Sequence, residues 1–90
     1  MLKIEFHTQF KKDYKQAVKR RLNIDLLTEV IDKLAKQQTL EPKYKDHALT
    51  GNYKGFRECH IQPDWLLVYK IDGDRIVLTL VRTGSHSDLF

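Results

Sequence analysis

From residue 2 the apolar side chains of Leu2, Ile4 and Phe6 alternate with Lys3, Glu5 and His7. That period of two predicts a short strand buried on one side. Thr8 follows, and its hydroxyl can cap a helix. Phe10, Tyr14, Ala17, Val18 and Arg21 then recur at helical spacing, while Lys11, Lys12, Asp13, Lys15, Gln16, Lys19 and Arg20 occupy the other side. The spacing predicts an amphipathic helix. Asn23 and Asp25 stand where a second helix can be capped. Leu26, Leu27, Val30, Ile31, Leu34 and Ala35 supply its apolar stripe, which fades at Gln37-Gln38-Thr39. So few residues join the two helices that an antiparallel hairpin is expected.

Pro42 opens an irregular stretch reaching about Tyr53, and a connection of that length without periodicity is often functional. The remainder is β-type. One strand is expected over Phe56–Ile61, a strongly apolar one over Trp65–Ile71 and a third over Arg75–Arg82. Gln62-Pro63 breaks the first pair and Asp72-Gly73 signals a hairpin between the second. If residues 61–63 form the first loop, His60 faces Asp64 with Cβ atoms ~4.5–5.5 Å apart. If only Gln62-Pro63 do so, Ile61 faces Asp64 instead, and the spacing leaves both registers open. Near-continuous apolar runs imply strands covered on both sides. Thr83–Phe90 is expected as a tail. The order β-α-α-β-β-β therefore predicts one α+β domain over residues 1–90, a helical hairpin packed on a mostly antiparallel sheet.

Composition narrows the classes. Hydrophobic residues at 41% and charged residues at 31% exclude a disordered chain. No apolar run reaches the ~20 residues that span a bilayer. The charged start Met1-Leu2-Lys3-Ile4-Glu5 has no signal-peptide core, so a cytoplasmic protein is expected. Cys59 is the only cysteine, which excludes an internal disulfide and a thiolate-rich zinc site and suits a strand filler better than a nucleophile. The net charge of +4 fits a polyanionic partner without requiring one. Lys11, Lys12 and Lys15, with Lys19, Arg20 and Arg21, form the basic helix face that could touch RNA.

Three of the four histidines, His47, His60 and His86, fall in the second half. An imidazole can give or take a proton near neutral pH. RNA cleavage needs one group to take the 2′-hydroxyl proton, another to protonate the departing 5′-oxygen, and a cation to meet charge growing on the phosphate. The histidines, Asp64, Arg82 and Arg57 can supply all three. Phe90, a terminal aromatic, could pack on the sheet or stack on a base. The same histidines with Asp64 are permissible zinc ligands, but no pair has the close spacing of recognised sites, and neither metal nor cofactor is expected. A non-catalytic RNA-binding module would need the basic face without the histidines.

Four runs sharpen this reading: Lys45-Asp46-His47-Ala48-Leu49-Thr50-Gly51, Gly55-Phe56-Arg57-Glu58-Cys59-His60-Ile61, Pro63-Asp64-Trp65-Leu66-Leu67-Val68-Tyr69 and Arg82-Thr83-Gly84-Ser85-His86-Ser87-Asp88-Leu89-Phe90. Together they resemble the YafQ branch of the RelE superfamily, and the order of elements fits as well. The resemblance implies a ribosome-dependent mRNA endonuclease that is neutralised by a DinJ-like antitoxin. Partners would be mRNA, the ribosome and its RNA, and operator DNA only through the antitoxin complex. It implies a catalytic set of His47, His60, Asp64, Arg82 and His86, with Phe90 in an accessory place.

Overall fold

A computed structural model describes residues 1–90. The chain runs β1 (Lys3–Phe6), α1 (Thr8–Lys19), α2 (Ile24–Ala35), β2 (His47–Ala48), β3 (Arg57–Gln62), β4 (Trp65–Asp72), β5 (Val77–Gly84) and α3 (His86–Leu89). The strands form one five-stranded sheet in the order β1-β5-β4-β3-β2. Only the β1–β5 pair is parallel; the other three are antiparallel. The α+β reading holds, with a two-residue edge strand and a four-residue C-terminal helix added to it. No helix is long and apolar enough to cross a membrane.

β4 explains the layering. Trp65, Leu67 and Tyr69 join the main core with Phe10, Ala17, Leu27, Val30 and Leu34 of the helices. The alternate residues Leu66 and Val68 enter a second, smaller cluster with Leu89 of α3, flanked by Leu49, Phe56 and Val81. Successive strand residues point to opposite faces, so one face of the sheet carries the helical hairpin and the other carries the tail and the 49–56 loop. Both helices are seated by their caps and stripes, though not all as expected. Asn23 accepts from the Asp25 N–H at the start of α2, whereas His7 stands at the N-cap of α1 without a side-chain bond and Thr8 is already helical.

Neither expected register of the first hairpin is the one formed. His60 pairs with Leu66 and Gln62 with Trp65, with an irregularity between His60 and Gln62. The turn is therefore Pro63-Asp64. Proline's fixed φ favours the first central position of a turn, and the missing N–H is lost where no ladder bond is due. The second hairpin turns later than Asp72-Gly73, because Asp72 Oδ1 accepts from the N–H groups of Asp74 and Arg75, drawing out a loop before Val77.

Candidate active site

The register decides which face each candidate occupies. His60 opposes Leu66 and Glu58 opposes Val68, while His47 opposes Glu58 across the short β2 ladder. All three therefore stand on the face with the second cluster, away from the helical hairpin. His86 begins α3, which lies over the same face. The His47 and His60 rings are 6.5 Å apart, centre to centre, and those of His60 and His86 are 5.8 Å apart. Three imidazoles from a loop edge, a central strand and the tail thus share one surface.

Glu58 lies among them and was not singled out in the sequence. It is 5% exposed. Its Oε1 is 3.6 Å from His47 Nε2 and 3.8 Å from His60 Nε2. The other nitrogens of these rings face backbone carbonyls, which can only accept: His47 Nδ1 is 2.7 Å from Lys45 O, and His60 Nδ1 is 3.3 Å from Pro63 O. Each Nδ1 therefore carries its proton, and each Nε2 meets the carboxylate. The signal in the sequence was the pair Glu58 and His60, two residues apart in a strand and hence on one face.

Asp64 does not meet His60. Its Oδ1 lies 3.4 Å from both the backbone N and Nδ1 of His86, because the turn ends at Asp64 and aims it toward α3. The site holds two acid–imidazole groupings, Glu58 with His47 and His60, and Asp64 with His86.

Arg82 reaches this face through an irregularity of β5. Val68 pairs with Arg82 but Tyr69 with Leu80, leaving Val81 unmatched. Such a bulge re-aims side chains: Val81 packs in the second cluster, and Arg82 opposes Val68 beside it. Its guanidinium is held by α1. Nε donates to Asp13 Oδ2 at 2.7 Å and Nη2 to Oδ1 at 3.3 Å, and Oδ2 also accepts from the Thr83 N–H. Nη1 makes no bond within the protein. Asp13 raises the Arg82 pKa most, and the Tyr53 phenol and Asp88 nearby add to it.

Other expected contacts fall elsewhere. Arg57 opposes Tyr69 on the helical side of the sheet, where its Nε and Nη2 donate to Asp46. Tyr69 donates to the same carboxylate. The structure does not bring Arg57 to the histidines; it grips the residue that precedes His47. Lys11 and Lys15 border an open apolar groove of about 650 Å³ with Phe6, Phe10, Tyr14 and Leu27, also on the helical side. Lys12 is exposed on the same helix. Cys59 is buried, and desolvation pushes its thiol up to about 12, so it is a filler.

The tail is fixed at several points. Ser85 and Asp88 form a capping box, and Arg20 of α1 bonds both oxygens of Asp88 at 2.6 and 3.2 Å. This contact and a backbone hydrogen bond from Ser85 hold the Asp88 carboxyl well below the usual carboxylate range. A Cβ on Gly84 would lie 3.0 Å from Asp88 Cβ, so glycine is what lets α3 fold back so closely. Phe90 meets Tyr53 edge to face, 5.3 Å between ring centres.

Donor atoms of Glu58, His60 and His86 lie within 4.8 Å of one another. Two imidazoles and a carboxylate are a donor set that suits zinc or copper. Glu58 and His60 share one face of β3, and α3 brings His86 to them from the far end of the chain.

Residues 2–90 match the family described as bacterial toxin of type II toxin-antitoxin system, YafQ. The mRNA interferase toxin YafQ of Escherichia coli K12 is 41% identical over 97% of this chain and 94% of its own length. A metal-bound toxin from Helicobacter pylori superposes with TM-score 0.95 at 53% identity, each chain covered in full. The E. coli DinJ-YafQ complex gives TM-score 0.90 at 38% identity, over 100% of this chain and 99% of that one.

Proposed function

Since the chain belongs to the YafQ family of bacterial type II toxins, which makes it an mRNA interferase with a cognate antitoxin, we propose that it cuts mRNA by transesterification at the histidine face. The 2′-hydroxyl attacks the adjacent phosphorus as its proton leaves, and the bond to the 5′-oxygen breaks as that oxygen gains a proton. The products are a 2′,3′-cyclic phosphate and a free 5′-hydroxyl.

The convergence of His47, His60 and His86 on one surface, each beside a carboxylate, carries this reading. His86 serves as general acid. Its exposed ring can reach a leaving oxygen, and Asp64 orients it. The base side is His60 or His47; Asp64, turned to His86, takes no part in it, and Glu58 sits where it can hold the proton that those two rings take up. Arg82 meets the charge growing on the phosphate. With Nε and Nη2 fixed by Asp13, it is oriented in advance and keeps Nη1 for an oxygen, as preorganised stabilisation requires. The reaction needs no metal in this scheme. A cation on Glu58, His60 and His86 would supply Lewis acidity, and while bound it would keep those two rings from transferring protons.

The toxin acts in the cytoplasm on ribosome-bound mRNA, with the lysine face of α1 on ribosomal RNA. A DinJ-like antitoxin silences it, and operator DNA is met only through that complex. Phe90 stays accessory, stacking beside the cut.

The decisive experiment maps mRNA 5′ ends after induction, with and without the antitoxin, for the wild type and a double His60→Ala, His86→Ala variant. New 5′-hydroxyl ends and growth arrest are expected from the wild type alone. Equal toxicity and equal ends from the folded double variant would overturn the scheme. A non-catalytic module would produce no such ends from either protein.

A further inference from the structure

The site gathers more rings than catalysis uses. His47, His60 and His86 follow one another at 6.5 and 5.8 Å. Phe90 stands one helical turn beyond His86, its N–H donating to His86 O at 2.9 Å. Residues four apart in such a turn share a side of the helix, so the tail carries Phe90 on the side of His86. Tyr53 lies 5.3 Å from Phe90. The tail thus leads from the imidazoles, through His86, to a pair of aromatic rings.

Two facts set the aromatic end apart from core packing. Leu89, next to Phe90, is buried at 7%, whereas Phe90 is 58% and Tyr53 42% exposed. The tail is therefore anchored by Leu89 and by the Arg20 contact to Asp88, and the two rings are held out to solvent without being needed as its anchor. Their edge-to-face geometry, with planes at 79°, leaves aromatic faces open. The polar neighbours are a guanidinium and imidazoles, a setting made for a phosphate strand.

We propose that Tyr53, with Phe90, forms a stacking subsite for the nucleobase immediately 3′ of the scissile phosphate. This rests on the reading of the histidine face as an RNA-cutting site. The direction follows from chemistry. The general acid protonates the 5′-oxygen of the departing strand, which belongs to the 3′ nucleotide. His86 lies between the other histidines and the aromatics, so the nucleotide that leaves beside His86 projects its base over Phe90 and Tyr53. Every base has a π face, so the subsite takes any nucleobase and favours purines by their larger overlap.

The test uses the full-length toxin, alone and on ribosomes, with an RNA that carries a 2′-deoxy residue at the cleavage position to block cutting. The fluorescent base 2-aminopurine is placed directly 3′ of that position, or directly 5′ of it. Quenching on binding is expected for the 3′ probe only. Tyr53→Leu keeps an apolar contact for Phe90 but cannot stack; it should abolish the quench and raise KM for cleavable RNA on the order of ten- to a hundredfold, with kcat near wild type. Tyr53→Phe and Tyr53→Trp should behave as wild type or better. Quenching of the 5′ probe instead, or a Tyr53→Leu variant with unchanged KM and quench in a toxin that still cuts RNA, would overturn the stacking subsite and leave the nuclease reading standing. A wild type that neither cuts RNA nor binds the probe would overturn both.

Discussion

Glu58 is the residue whose environment departs furthest from ordinary surface chemistry. A carboxylate removed from water is costly unless it is bonded or paired, and its near neighbours in charge are the Nε2 atoms of His47 and His60. On the proposed scheme each Nε2 is placed to share with it a proton taken from the 2′-hydroxyl. Glu58→Gln keeps the shape and removes the charge. It should lower kcat on the order of ten- to a hundredfold, the loss of one bond to a charged group, with the fold intact by circular dichroism. Wild-type turnover from that variant would remove Glu58 from the mechanism. Cys59 is its neighbour in sequence and its opposite in role. It points to the helical core, and burial raises its thiol to about 12. A thiol raised in the fold stays protonated while the unfolded chain ionises, so its contribution to stability is complete below about pH 8.5 and is lost as pH rises toward 12. At pH 8 Cys59 should resist iodoacetamide until denaturant is added; rapid alkylation of the native protein would contradict its placement.

Among the elements, the long ones follow from the chain and the short ones do not. β4 and β5 are legible because apolar runs of that length need cover on both sides, and both helices because their stripes repeat at helical spacing. β2 has two residues and α3 four, too few for any period to register, yet they deliver His47 and His86. The turn at Pro63-Asp64 depends on a one-residue choice of register, which moves Asp64 from His60 to His86. The bulge at Val81, which sets the direction of Arg82, leaves no mark in an apolar run. The candidate site residues were therefore legible as residue types in known motifs, but their pairing was not. α3 in particular is held by a contact to a distant helix. Arg20 pulls the Asp88 carboxyl below its usual range, and a depressed carboxylate contributes stability above the unfolded value of about 4 and loses it as pH falls below that. The pair is exposed and screened by salt, so its loss costs the whole fold little, while His86 and Phe90 depend on it for position. Arg20→Ala should leave the melting temperature nearly unchanged and reduce cleavage several-fold. The wild type should likewise lose order at residues 86–90, followed by amide NMR, in acid before the domain unfolds. Equal cleavage with a mobile tail would show that α3 docking is irrelevant to the reaction.

At the scale of the molecule the proposed scheme divides two tasks across the sheet. One face would serve proton transfer, with carboxylates and imidazoles covered only by a short tail and a loop. The other carries the helical hairpin, whose outer side bears Lys11, Lys12 and Lys15. Lys11 and Lys15 border the groove with Phe6, Tyr14 and Leu27, not the side of α1 whose Asp13 and Arg20 touch Arg82 and Asp88, so they are not placed to meet the reacting phosphate. In the proposed function their use is long-range attraction to ribosomal RNA, in which each phosphate contact releases counterions and steepens the dependence of affinity on salt. Reversing Lys11, Lys12 and Lys15 to glutamate should therefore weaken ribosome binding and flatten its salt dependence. Cleavage of a short free RNA at saturating concentration should stay as it was, because His47, His60, His86 and Arg82 are untouched. The two assays separate the tasks. If the triple variant lost both in parallel while remaining folded, the lysines would be acting on the catalytic face, and the division of labour across the sheet would be wrong. If ribosome binding kept its strength and its salt slope, that face would have another occupant. Lys11 and Lys15 border the apolar groove between the helices, so antitoxin binding by the same variant would then be the measurement that identifies it.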